Sequence, residues 1–293
     1  MALDIVITAL VPIVWGTTYW VTTELLPDGL PITAATIRTL PAGVLLIILS
    51  RSFLPAIPWS QMILLSILNI AAFQALLFIA AYRLPGGIAA ITGAFQPIII
   101  LGLVWMLDRQ RPSRFVGGMA AISIIGMAVL LGRHEQSWDL IGLAAACGGT
   151  ACMALGVYLS RRWNAGAGLL GFTGWQLFLG GLMLLPFAWF MEPSLPVLTP
   201  SNWYGYAYLC IVGTLLAYAL WFRGVTRLPS VAVSSLGLLS PITAVFIGWL
   251  LLGESLGIRS VIGLVIVLSA VLALQWQLVN VSPPKVSLAA CQR

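Results

Sequence analysis

The sequence predicts an all-α membrane protein with ten transmembrane helices, arranged as two inverted five-helix repeats with both termini in the cytoplasm. Three observations support this fold class. Hydrophobic residues make up 60% of the 293 residues and charged residues only 8%, far below the roughly 25% that a soluble domain carries. The apolar residues fall into ten separate stretches of about 20 residues. One segment, 75–105, recurs without gaps at 219–249.

The ten stretches carry few or no charges, so each is long and apolar enough to cross a bilayer as a helix. Their residues do not alternate between apolar and polar, as the strands of a membrane β-barrel would. The first stretch lacks a basic segment and a small-residue cleavage site, so we expect it to be retained as a span. The stretches are 3–23, 31–50, 61–82, 86–107, 114–131, 139–160, 168–190, 203–223, 230–252 and 257–279.

The basic residues predict the orientation. With the N-terminus inside, ten arginine and lysine residues fall in cytoplasmic segments and three in outer ones, and Arg38 lies within a span. Cytoplasmic loops of membrane proteins carry such an excess of basic residues. The net charge of +6 therefore reflects topology, and it gives no indication of a nucleic-acid partner.

The internal repeat predicts the architecture. Ten of the 31 aligned positions in 75–105 and 219–249 are identical at an offset of 144, including a glycine, two prolines and a tryptophan. An odd number of spans per repeat turns the second repeat upside down relative to the first, which is a common plan of secondary transporters. We expect a first repeat at 1–135, a second at 136–280 and a disordered tail at 281–293.

Two prolines occupy equivalent positions in the fourth and ninth spans, Pro97 and Pro241. A proline inside a helix removes one backbone hydrogen bond and bends the helix. Because lipid cannot satisfy the freed carbonyl group, we expect it to face protein or water. Two interpretations stay open, a fixed kink and a gating hinge.

Several segments resemble the EamA-domain transporters of the drug/metabolite transporter superfamily, of the amino-acid and metabolite exporter type. The resemblance implies ten spans in two EamA units, in a bacterial inner membrane, that export amino acids or similar small amphipathic metabolites by alternating access. In the first repeat, Gln110 stands where the pattern has a glutamate, whereas the second repeat keeps Glu254. The segments are W-G-T-T-Y (15–19), P-I-T-A-A-T-I-R (31–38), S-P-I-T-A-V-F-I-G-W-L-L-L-G-E-S (240–255) and I-G-L-V-I-V-L-S-A-V-L (262–272).

The resemblance also implies a central cavity between spans 1, 3, 4, 6, 8 and 9. In the third span, Gln74, Phe78 and Tyr82 lie at i, i+4 and i+8, on one helical face, and the equivalent face of the eighth span is also polar and aromatic. Rings and a few polar groups suit a small amphipathic solute. The candidate substrate-binding residues are Trp15, Thr18, Tyr19, Gln74, Phe78, Tyr82, Thr92, Gln96, Thr150, Tyr158, Thr214, Tyr218, Phe222, Ser234 and Ser240.

The charged residues narrow the mechanism. No Asp or Glu falls in the middle of a predicted span, although proton-coupled carriers commonly use an intramembrane carboxylate. We therefore expect facilitated efflux; a coupled carrier would have to use acids at the edges of the spans, such as Glu254 or Asp4, and Glu254 is a candidate charge partner. For Arg38 three interpretations stay open: a pair with Glu24, a pair with Asp28, or binding of a substrate carboxylate.

Two other functions compete with export of amino acids. A phosphorylated-metabolite or nucleotide-sugar exchanger would require several cations in the cavity, and lysine is nearly absent from the sequence. A membrane-embedded transferase would require a nucleophile with a base or a metal cluster, and the chain has one histidine. We expect no enzyme activity, no cofactor and no metal, and a monomer whose partners are the bilayer and a small solute.

Overall fold

The computed structural model describes residues 2–55, 57–84, 86–93, 95–109, 111, 113–131, 139–163, 168–227, 236–237, 239–253 and 257–280. These residues are predominantly helical and contain no strand. Several expected features lie outside them: Gln110, Ser234, Glu254, the boundary at 135/136 and the tail 281–293.

Fourteen α-helices and two π-helical segments are described within this part of the chain. In the π segments the backbone is wound more loosely than in an α-helix. They are α1 (Ala2–Gly16), α2 (Thr18–Leu25), α3 (Pro31–Ser50), α4 (Trp59–Ser66), π1 (Ile67–Ala72), α5 (Phe73–Arg83), α6 (Gly86–Gly93), α7 (Gln96–Asp108), α8 (Arg114–Leu131), α9 (Leu140–Trp163), α10 (Leu169–Met191), α11 (Pro200–Ala207), π2 (Tyr208–Leu216), α12 (Ala217–Arg227), α13 (Leu239–Leu251) and α14 (Ile258–Asn280).

Six helical stretches in the described residues have the length and apolar composition to cross a membrane, and the other expected spans contain shorter apolar helices. The first, third and eighth of the expected spans each consist of consecutive helical pieces. The six long stretches are Leu3–Leu25, Pro31–Ser50, Trp59–Arg83, Leu140–Ser160, Leu169–Met191 and Pro200–Trp221.

The fourth expected span is broken into α6 and α7 rather than merely bent. Pro97 is the second residue of α7, where the first turn needs no N–H donor and proline is well tolerated. Pro241 is likewise near the start of α13, as its third residue. The two equivalent prolines thus lie in the first turns of α7 and α13.

Helices pack in pairs. α3 packs along α10, α8 along α14, α6 on α13, α1 on α12 and α5 on α9. The α3–α10 contact depends on glycine, since a Cβ on Gly43 would overlap the backbone of Phe178 and a Cβ on Gly181 would overlap that of Leu40. Small residues allow helix axes to approach this closely in membranes.

Ion pairs join the ends of the same helices. Asp4 at the start of α1 accepts a hydrogen bond from Arg223 near the end of α12, at 3.1 Å. Arg83 at the end of α5 pairs with Asp139, just before α9, at 2.9 Å. The backbone N–H of Gly142 and the Arg83 guanidinium hold the pKa of Asp139 below its usual value. The first turn of α9 is therefore held to the end of α5 by a carboxylate that stays ionised near neutral pH.

Candidate functional site

Arg38 is a charged residue that is buried among the helices. It lies in the middle of α3 with 4% of its surface exposed. Its Nε donates to the Thr214 hydroxyl at 2.9 Å and its NH2 donates to the Gly213 carbonyl at 3.2 Å. Its NH1 has no hydrogen-bond partner among the described residues. One edge of the guanidinium is thus fixed to π2, and NH1 remains without a partner.

The π2 segment presents the two acceptors for Arg38. The Thr214 hydroxyl donates to the Leu209 carbonyl, five residues earlier, at 2.9 Å. The hydroxyl oxygen is therefore oriented to accept from Arg38.

Aromatic side chains surround this contact. The Trp15 indole N–H donates to the same Gly213 carbonyl at 3.1 Å, and its ring meets the ring of Tyr218 edge-on at 5.8 Å. The Arg38 Cζ lies 5.9 Å from the centre of the Phe78 ring, at the outer range of a cation–π contact. Tyr19 and Tyr218 also lie close enough to interact electrostatically with Arg38.

Gln74 and Thr18 each bring an unpaired polar atom into the interior. Both residues are buried, with 2% exposure. Gln74 Oε1 and Thr18 Oγ1 have no hydrogen-bond partner among the described residues. Gln74 precedes Phe78 by one turn of α5, and Thr18 precedes Tyr19. We call these residues the central group: Trp15, Thr18, Tyr19, Arg38, Gln74, Phe78, Thr214 and Tyr218.

Other predicted site residues use their polar groups locally. Thr92 and Thr150 donate to their own helices, at Ala89 and Ala146, as threonine often does inside helices. The Tyr82 hydroxyl donates to the Pro27 carbonyl at 2.8 Å. None of the hydrogen bonds of these three side chains among the described residues reaches the central group.

Tyr158 lies near the C-terminal end of α9. Its hydroxyl donates to Asp108 at 2.8 Å, and Arg162 donates to the same carboxylate at 2.9 Å. The contact ties the end of α9 to the end of α7. Tyr158 thus has a structural contact of its own, which the sequence did not predict.

Four predicted residues belong to helix starts or have side chains outside the described part. Gln96 is half-buried at the first position of α7. Ser240 is half-buried at the start of α13, where its carbonyl would obstruct any Cβ on Gly16. Ser234 and the side chain of Phe222 lie outside the described residues.

A second polar contact was missed by the sequence reasoning. Asn69 in π1 donates to Gln176 of α10 at 2.7 Å and to Ser160 of α9 at 3.1 Å. A Cβ on Gly156 would overlap the Asn69 amide, so α9 needs a glycine there. An amide in the middle of an apolar span was the available signal, because a polar side chain inside a membrane needs a partner.

Arg38 has neither of the acidic partners that the sequence left open. Glu24 and Asp28 are exposed, and no ion pair of Arg38 is found among the described residues. Glu192, directly after α10, accepts from the backbone N–H groups of Ile32 and Thr33, the latter at 2.7 Å. A carboxylate at a helix N-terminus is favourable, so Glu192 is used as a cap of α3.

No group of three His, Cys, Asp or Glu residues suited to a metal ion is found among the described residues. Two apolar grooves of about 410 and 450 Å³ lie away from the central group, one along α5 and α9 and one between α3, π1 and α10. The central group therefore provides hydrogen bonds, rings and one cation.

Comparison with known proteins identifies the family. The EamA-like transporter family matches residues 3–132 and again 140–275. The chain belongs to this family. The Protein PecM of Dickeya dadantii is 42% identical over 267 residues, covering 90% of this chain and 89% of its own length. An uncharacterized transporter of Synechocystis is 27% identical, with 83% of this chain and 80% of its own length covered.

The fold is also shared with a solved structure. That crystal structure is 19% identical in sequence, covers 97% of this chain and 100% of its own, and superposes with a TM-score of 0.65. An uncharacterized transporter of Bacillus subtilis is 25% identical over 268 residues, 89% of each chain. The family and these names indicate a multi-pass membrane transporter and confirm the resemblance that the sequence motifs predicted.

Proposed function

We propose that this EamA family member is a secondary transporter of the bacterial inner membrane that exports amino acids or similar small amphipathic metabolites. Two inverted five-helix units, 1–135 and 136–280, surround one solute site and open it alternately to either side. The observation that carries the proposal is the central group, where Arg38, Thr214 and Trp15 meet at π2 beside the rings of Phe78 and Tyr218.

The packing of the helices supports two related halves. The pairs α3–α10 and α8–α14 each join helices that are equivalent in the two units, and α6–α13 joins parts of the equivalent fourth and ninth expected spans. The pairs α1–α12 and α5–α9 exchange with each other when the units are swapped. A two-fold relation between the halves generates both kinds of pair. The two family matches, one in each half of the sequence, support the same relation.

The two π segments support the same relation in greater detail. Asn69 of π1 and Gly213 of π2 differ by 144 positions, the offset of the sequence repeat. Each is hydrogen-bonded to the eighth residue of a neighbouring helix, Gln176 of α10 and Arg38 of α3. Each also bonds to a third helix, through Ser160 and Trp15 respectively.

These two contacts suit an alternating mechanism. We call them the Arg38 junction (Arg38, Gly213, Thr214, Trp15) and the Asn69 junction (Asn69, Gln176, Ser160). In inverted units, equivalent contacts lie in opposite halves of the bilayer, and each half can adopt the conformation of the other. π bulges are frequent at functional sites in helices. We therefore expect one junction to loosen as the other tightens.

The chemistry of the central group favours an amphipathic solute over a phosphorylated one. Several rings, an amide and hydroxyl groups line it, and a mostly apolar site with a few polar groups binds small organic molecules. Recognition of phosphate commonly requires several basic side chains. Among the described residues of this group, Arg38 supplies the cation.

Transport in proteoliposomes tests the proposed function. Labelled amino acids and aromatic cations, with and without a pH gradient, identify a transported class. We expect Tyr218→Ala and Gln74→Ala to lower the transport rate about tenfold, since each substitution removes one hydrogen-bonding group or one aromatic contact. Trp203→Ala, a change at an exposed aromatic residue, is the control. Wild-type rates for both central variants would exclude this face from the site.

A further inference from the structure

We propose that Arg38 binds the carboxylate of the transported solute, so that the substrates are amphipathic monocarboxylates, amino acids included, and that Thr214 and Gly213 position the guanidinium for this contact. The inference rests on the proposed function, because it concerns the same site. It assigns a chemical class to the solute and separate roles to three residues.

The hydrogen bonds of Arg38 leave one nitrogen available. A guanidinium carries five N–H groups in a rigid planar fork. Nε and NH2 are held by Thr214 and Gly213 of π2, whereas NH1 has no partner among the described residues. Because the first two contacts fix the plane of the fork, the direction in which NH1 donates is fixed as well. Arginine is the residue that proteins favour for binding planar carboxylates, because the fork of N–H groups matches the geometry of the carboxylate oxygens.

The charge of Arg38 is not compensated within the described residues. Every ion pair found there joins other residues: Asp4 with Arg223, Arg83 with Asp139 and Arg162 with Asp108. A buried ion is stabilised by a counter-charge, and an ionisable residue inside a membrane protein usually marks a substrate or ion pathway. An anionic group on the solute would provide the missing charge.

The rings beside Arg38 and two buried acceptors of the central group define the rest of the solute. Gln74 Oε1 and Thr18 Oγ1 are buried acceptors without partners, so they can receive N–H or O–H groups. The rings of Phe78, Trp15 and Tyr218 lie beside the guanidinium. A solute with one carboxylate, one short donor group and an aromatic or branched apolar part matches this set. A dication, a polyphosphate or a neutral hydrocarbon does not.

Binding to the purified full-length protein tests the inference. The probes are 3-phenylpropanoate and its neutral isostere 3-phenylpropanamide, with L-phenylalanine and L-phenylalaninamide as a second pair. We expect each carboxylate to raise the melting temperature saturably and each amide to bind about tenfold more weakly or worse, since a hydrogen bond to a charged group is lost. Equal stabilisation by both members of a pair, or by neither, overturns the inference.

Variants of Arg38 and of Thr214 test whether the preference for carboxylates depends on the guanidinium. Arg38→Gln is expected to remove the preference for carboxylates, and Arg51→Gln, at an exposed arginine, is expected to keep it. Should Arg38→Gln fail to fold, Arg38→Lys keeps the charge without the fork, and Thr214→Val keeps the charge without the Nε acceptor. Both are expected to weaken carboxylate binding several-fold, and unchanged binding by either contradicts the assignment.

Transport measurements distinguish a failure of this inference from a failure of the proposed function. Carboxylate binding that depends on Arg38, in a protein that moves no solute across a vesicle membrane, would leave the inference standing and remove the export function. Transport of neutral or cationic solutes at equal rates by the wild type and Arg38→Gln would retain the transporter and remove the carboxylate site.

Discussion

Gly156 shows, at the scale of single residues, how a missing side chain makes a polar contact possible. The Asn69 amide occupies the space that a Cβ on Gly156 would need, and there it bonds Gln176 at 2.7 Å. A Cβ placed on Gly148, two turns earlier on α9, would lie 3.4 Å from the side chain of Leu76, which is an ordinary van der Waals contact. The two glycines therefore test packing on one helix.

We expect Gly156→Ala to lower the free energy of unfolding by about 1–3 kcal/mol, because it displaces Asn69 and strains its hydrogen bond. Gly148→Ala gains the same helix propensity without a clash, so its stability should stay unchanged or rise. Thermal unfolding of both variants in detergent measures the difference. Equal melting temperatures for the two would contradict the close packing at Asn69.

Periodicity predicts part of the central group and misses the rest. The i, i+4 spacing of Gln74 and Phe78 predicts a shared face, and both side chains are buried. Thr214 was expected as a cavity residue, and spacing alone did not indicate that its hydroxyl accepts a hydrogen bond from Arg38. Asn69 and Gln176 belong to no motif, and the partners of an amide inside an apolar span depend on tertiary packing that spacing along one helix does not encode.

At the scale of helices, the contact of α3 with α10 depends most on close approach. A Cβ on Gly43 would overlap the backbone of Phe178, which cannot turn aside as a flexible side chain can. Association of helices in a membrane relies on such packing because lipid is as apolar as the side chains. Arg38 lies on the same helix, so a shift of α3 also displaces the guanidinium.

We expect Gly43→Ala to destabilise the protein by about 1–3 kcal/mol, as overpacking does, and to weaken solute binding along with stability. Gly102→Ala on α7, where a Cβ would meet nothing within 4 Å, is the matched control. Denaturation curves of the two variants in detergent micelles provide the comparison. A Gly43→Ala protein as stable as the Gly102→Ala protein would show that α3 and α10 are further apart than described.

Helix positions follow from the sequence better than helix breaks do. The apolar stretches predict where helices lie, because length and composition decide whether a segment can cross a bilayer. The separation of α6 from α7 and the two π segments depend on local backbone hydrogen bonding. Pro97 indicates the break between α6 and α7. The sequence around π1 and π2 contains no proline, so it does not indicate the π segments.

At the scale of the whole molecule, the account depends on two units of opposite orientation. The connector between α3 and α4 in the first unit corresponds to the connector between α10 and α11 in the second. Phe53 and Val197 differ by 144 positions and are 66% and 97% exposed. If the units are inverted as proposed, the two connectors lie on opposite sides of the membrane, and we expect Phe53 in the cytoplasm and Val197 outside.

Labelling of single cysteines measures directly on which side of the membrane each connector lies. Phe53→Cys and Val197→Cys are introduced separately after Cys147, Cys152, Cys210 and Cys291 have been replaced by serine, and each protein is exposed to a membrane-impermeant maleimide. We predict that Val197→Cys reacts in right-side-out vesicles and Phe53→Cys only in inside-out vesicles, with both reacting after detergent is added. Reaction of both positions from the same side would contradict the inverted arrangement.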